Sequence, residues 1–217
     1  GDYKDEIKAL VSNMLAYGGA AQKYFDVNTD NLADKGITVA DVTVPDNNLS
    51  VAISDQLDGI NFYGASLVMR SKTAVRFYFT AESVEGLTFT VNGDTYTPVS
   101  AKDMYCVEVA DINPQELADV LNLAVSDGTN NLRVSYNPMS YISRMYHKAG
   151  SSEQLKAVVK AMYGYYLAAK ALVKQISYQD SHFSFAGFWE ENQAGELVSY
   201  KRVAMVTVSF RGSEIVI

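Results

Sequence analysis

The spacing of apolar residues changes twice along this chain, and that constrains the fold more than any single motif. Ile7, Leu10, Val11, Met14, Tyr17, Gly18, Ala21, Tyr24 and Phe25 step by three and four. Such steps paint one broad stripe on a helix of about six turns. From Ile37 to about Tyr136 the period is twofold, as in half-buried strands. Helical spacing returns at Met139, Ile142 and Met145, breaks at Gly150, and resumes from Leu155 through Val158, Val159, Met162, Tyr166, Ala169, Leu172 and Val173 to Ile176. Helix, strands, helix is the order of an α+β chain.

The first helix is expected from about Asp2 to Phe25, with Asp2, Asp5 and Glu6 where the dipole favours acids. The sequel DVNTDNLADKG places Asp26, Asn28, Asp30, Asn31 and Asp34 in a pattern that resembles a calcium loop. An EF-hand wants Gly sixth and Glu twelfth, where this chain has Asn31 and Ile37. The preferred reading is a short turn capped by Asn28 or Thr29 and ended by Gly36.

Within the twofold region, Val39, Val42 and Val44 alternate up to Pro45, and Leu49, Val51 and Ile53 resume the pattern. Leu67 and Met69 follow, then Val75, Phe77 and Phe79 with Arg76, Tyr78 and Thr80 on the other side. Asn92-Gly93 predicts a two-residue hairpin turn that sets Phe89 opposite Tyr96. Met104 to Ala110 reads as another strand. Asn113-Pro114-Gln115-Glu116 predicts a capped short helix ending near Leu121. Leu123–Ser126 and Leu132–Tyr136 flank a turn at Asp127–Asn130. At least seven short strands with turn signals between them predict an immunoglobulin-like or fibronectin-like β-sandwich.

Ser151 and Gln154 read as the capping box of the last long helix. Small residues in both long helices, Gly18 and Gly19 in one and Gly164, Ala168 and Ala169 in the other, suggest that the helices pair and clasp the sandwich. Glycine inside a helix costs about 1 kcal/mol relative to alanine, so a packing reason is expected. From Ser177 onward the pattern is again twofold: His182–Phe188 alternates, 190–195 is a polar turn, and Leu197–Phe210 is a long strand pattern. The predicted organisation is a helix-clasped sandwich domain over 1–176 and a β-hairpin tail over 177–217. Two strands do not stand alone, so the tail must add to the sandwich, to a neighbouring domain or to another copy, which would permit oligomers.

At 217 residues the chain is large enough for a sizeable core. Its net charge of −7 disfavours nucleic acid, whose phosphates demand a basic face. There is no apolar run long enough to cross a bilayer. The single cysteine, Cys106, alternates between Tyr105 and Val107 and reads as an inert buried thiol. Gly1 directly ahead of a helix reads as a trimmed start, so the lack of a signal peptide carries little weight against export.

The segments AYGGAAQKYFDVNTDNLA (16–33) and LKAVVKAMYGYYLAAKALV (155–173) together resemble a module of large secreted or cell-surface proteins of anaerobic Gram-positive gut bacteria. The likeness covers about 9–173 and is sharpest at its two ends; between them it is only a strand pattern. It implies a secreted or cell-surface location and a non-catalytic accessory role, and it carries over no catalytic residues. Gly19 stands where that module more often has alanine.

Motifs for nucleophilic, phosphate-binding, zinc or redox chemistry do not occur, and no cofactor is expected. His147 and His182 are isolated. Glu190 and Glu191 beside Phe188 and Trp189 invite a glycosidase reading, but neighbours in a strand point to opposite faces. The functional hint is the aromatic surplus, 15 Tyr and 9 Phe, because exposed rings can stack on sugars or anchor a protein partner. The candidate ligand-binding residues are Trp189, Phe188, Tyr78 and Tyr136; no catalytic or metal residue is assigned. The expected function is a non-catalytic extracellular module that binds a glycan or a protein, or spaces other modules. The alternative is a carbohydrate-active hydrolase with carboxylates from distant strands.

Overall fold

The computed structural model describes residues 3–46, 51–69, 72–182, 190–191, 197–198, 209–211 and 214–216. The chain forms two compact units, one over Asp2–Val173 and the other centred on Lys174–Ile217.

The first unit opens with helix α1 (Lys4–Phe25). Nine strands follow: β1 (Ala52–Asp55), β2 (Ile60–Met69), β3 (Thr73–Ala81), β4 (Thr88–Val91), β5 (Asp94–Tyr96), β6 (Val99–Ala101), β7 (Met104–Val109), β8 (Leu121–Ser126) and β9 (Asn131–Tyr136). Helix α2 (Pro138–His147) and the start of α3 (Glu153–His182) complete it. The strands build two antiparallel sheets, one in the order β1-β9-β8-β4-β5 and one in the order β2-β3-β7-β6. Successive hairpins alternate between them: β2–β3 and β6–β7 lie in the four-stranded sheet, β4–β5 and β8–β9 in the five-stranded one.

The alternation of apolar residues explains why the sheets meet face to face. Val75, Phe77 and Phe79 on β3, Val107 on β7, Phe89 on β4 and Val125 on β8 are fully buried. Phe79 meets Phe89 of the facing sheet edge-on at 5.4 Å, and Phe77 meets Tyr136 at 5.8 Å. Burial of such side chains contributes about 1.5–3 kcal/mol each, so this layer dominates the stability of the unit. Val158, Val159 and Met162 of α3 and Met139 and Ile142 of α2 extend the same core.

Turn chemistry fixes the registers as expected. Asn92 (φ 51°) and Gly93 (φ 97°) are both left-handed, and Phe89 pairs with Tyr96. Asp127 accepts from the backbone N–H of Asn130 at 2.7 Å and of Thr129 at 2.8 Å, which closes the β8–β9 turn. These hydrogen bonds hold its carboxyl below the usual range.

Several expectations are corrected. The alternation Val39–Val44 is not a strand: residues 37–46 run as an irregular arm that joins no ladder among the described residues. Helices hold this arm instead. Ser143 donates to Pro45 O at 2.8 Å, His147 Nε2 lies 3.0 Å from Val44 O, and Lys160 pairs with Asp41 at 2.7 Å. Only a 3-10 turn, Pro114–Glu116, forms where a short helix was expected, although its Asn113–Glu116 capping box is present. Ser152 rather than Ser151 caps α3, its hydroxyl accepting from Leu155 N at 3.1 Å.

The two long helices do meet, with Tyr17 stacked on Tyr165 and Gly164 facing Asn13. Gly18 and Gly19, however, face the loop that follows their own helix. A β-carbon on Gly19 would fall 2.2 Å from Asp34 Cγ, and one on Gly18 would fall 3.2 Å from Ala33 Cβ. Gln22 ties that loop down. Its amide donates to Asn31 O (2.9 Å) and Asn28 O (3.1 Å) and accepts from Ala33 N (2.7 Å). Asp34 pairs with Lys23 at 2.9 Å.

In the second unit α3 continues to His182, past the expected end at Ile176, because no glycine or proline interrupts 177–182. Beyond it β10 (Glu190–Glu191) pairs with β11 (Leu197–Val198), and β12 (Ser209–Arg211) pairs with β13 (Glu214–Val216). Most of the strand patterns expected at 182–188 and 197–210 lie outside the described residues.

Candidate binding surface

The outer face of the four-stranded sheet carries the strongest candidate. Its residues follow from the register. On β3 the side chains opposite the buried Val75, Phe77 and Phe79 are Arg76, Tyr78 and Thr80. Arg76 lies between Ser66 of β2 and Glu108 of β7 in the ladder, and Tyr78 lies between Gly64 and Cys106.

Strand β2 departs from strict alternation at one point. Phe62 pairs with Phe79 and Gly64 with Tyr78, so Tyr63 is the extra residue of a β-bulge. Phe62 packs inward against Phe77 and Phe79, and Ala65 pairs with the inward Phe77. Two inward residues separated by two positions leave both intervening residues, Tyr63 and Gly64, on the outer side. Tyr63 is 70% exposed, the largest value among the exposed large apolar side chains of the described residues. Above Gly64 the space is open, since an added β-carbon would meet no atom within 4 Å. Outside the sheet, then, a glycine notch is flanked by Tyr63 on its own strand and Tyr78 on the next.

Polar groups border this notch. Ser66 Oγ lies 3.5 Å from the Tyr78 hydroxyl, and Arg76 Nε donates to Glu108 Oε2 at 2.5 Å. That partner holds the Arg76 guanidinium above its usual value. Cys106 lies on the same face but is buried beneath its neighbours, which pushes its thiol up, as expected of an inert residue.

Of the four residues singled out in the sequence, Tyr78 stands on this face. Tyr136 does not. It is 2% exposed, with its ring against Phe77, and burial pushes its phenol up to about 12. Its inward position follows from the parity of Leu132, Val134 and Tyr136. Phe188 and Trp189 lie outside the described residues. Tyr63 is not among the four, although the shift of apolar positions from Ile60 and Phe62 to Ala65, Leu67 and Met69 is a readable sign of a bulge.

A second feature is a shallow groove of about 320 Å³ lined by Asp55, Gln56, Thr129, Asn130 and Asn131. It is polar and holds no aromatic ring. Asp55 at its rim pairs with Arg133 at 3.4 Å. Among the described residues, no group of three or more His, Cys, Asp or Glu is placed to hold a metal ion. No helix among them is long and apolar enough to cross a membrane.

Comparisons with protein-family models, with curated proteins and with solved structures find no match to this chain.

Proposed function

We propose that the chain is a non-catalytic accessory module of an extracellular protein, and that the outer face of its four-stranded sheet receives a glycan or a protein partner. The observation that carries this reading is the bulge that brings Tyr63 out beside Tyr78. Bulges re-aim side chains next to functional sites, and an exposed ring offers large contact area at low entropy cost. Glu108, the carboxylate on this face, is committed to Arg76. Acid–base hydrolysis of a glycoside needs a pair of carboxyl groups across one bond, and the face offers no such pair among its described residues.

The sandwich itself reads as immunoglobulin-like. With β1 set aside, β2-β3-β7-β6 and β9-β8-β4-β5 repeat the A-B-E-D and G-F-C-C′ orders of that class. An extracellular setting rests on the resemblance at 16–33 and 155–173, and modules of this class commonly serve as binding units or spacers there.

The catalytic alternative has a direct test. Prolonged incubation of the protein with soluble polysaccharides is expected to release no new reducing ends. Release that disappears when two neighbouring carboxylates are neutralised would overturn the non-catalytic reading.

A further inference from the structure

Resting on that reading of the outer face, we infer that its ligand is an uncharged polysaccharide, seated on Tyr63 and Tyr78 across the Gly64 notch. Neither ring is spent on another aromatic side chain among the described residues. Tyr63, 70% exposed, can stack against the apolar C–H face of a sugar ring, with the half-buried Tyr78 beside it, which is the way an amphipathic ring serves a ligand that is apolar on one face and wet at its rim.

Charge selects within the sugars. Arg76 and Glu108 cancel one another on the face, while the whole chain carries −7. A net-neutral patch on an acidic protein complements a neutral ligand and repels a polyanion. The bordering groups also suit hydroxyls, because the Ser66 and Tyr78 hydroxyls can each donate and accept. A protein hot spot would instead need an anchor ringed by contacts that exclude water. Here the anchors stand on polar ground.

The test is affinity electrophoresis in native gels containing mixed-linkage β-glucan, xylan, galactomannan or polygalacturonate. Wild-type protein is compared with Tyr63→Ala, Tyr78→Ala and Gly64→Val, and the fold of each is checked by thermal melting. Retardation is expected in at least one neutral polysaccharide and none in polygalacturonate. Each tyrosine variant should weaken it about tenfold, the scale of losing one aromatic anchor. Gly64→Val should fill the notch and abolish retardation while melting at or above the wild-type temperature, because a β-branched residue replaces glycine inside a strand. Retardation by polygalacturonate alone would overturn the neutral class but keep the face as a sugar site. No retardation in any gel would overturn the glycan and leave a protein as the occupant. Retardation unchanged in all three variants would overturn the face itself, and the proposed function with it.

Discussion

Phe79→Ala is expected to lower the unfolding free energy by about 3–5 kcal/mol, the usual cost of truncating a buried phenylalanine. Phe79 is fully buried, and it bridges two layers. Its ring meets Phe62 of its own sheet at 5.9 Å and Phe89 of the facing sheet at 5.4 Å. Alanine there would remove favourable transfer energy and leave a void between sheets that two ladders hold apart. In urea the midpoint should fall sharply with little change in slope. A loss below about 1 kcal/mol would mean that Phe79 does not lie between the sheets.

Gln22→Glu should cost about 2 kcal/mol, far more than an exposed helix position ordinarily would. The change keeps the shape of the side chain and its acceptance from Ala33 N. It removes both donations and turns a carboxylate toward the carbonyl oxygens of Asn28 and Asn31. The loop 26–36 should then lift from α1. Hydrogen exchange at Lys35 and Ile37, whose N–H groups donate within the loop to Leu32 O and Asp34 O, should quicken well before global unfolding. Protection equal to wild type at both would show that Gln22 does not hold the loop.

The residues differ in how much of this could be read from sequence. Asn92-Gly93 dictates its turn through left-handed φ values, so the Phe89–Tyr96 pairing was legible. Parity alone places Tyr136 in the core, and parity also betrays the bulge at Tyr63; both signals are local. The arm 37–46 was not legible as an arm. Its valines alternate because one side packs on helices and the other meets water, and alternation does not reveal whether a ladder partner exists. Gly18 and Gly19 advertised a close approach, but the neighbour proved to be Asp34 and Ala33, a few residues beyond the helix and not the distant α3. Sequence shows that a residue is small; only the fold shows what fills the room.

If the outer face binds as proposed, the bulge in β2 serves the ligand and not the fold. Deleting Tyr63 puts that to the test, because Phe62, Gly64 and Ala65 would then alternate without interruption against Phe79, Tyr78 and Phe77. The expected result is a domain that melts at or near the wild-type temperature and has lost its retardation in neutral polysaccharide gels. A deletion that unfolds the domain, or one that binds as wild type does, would contradict it.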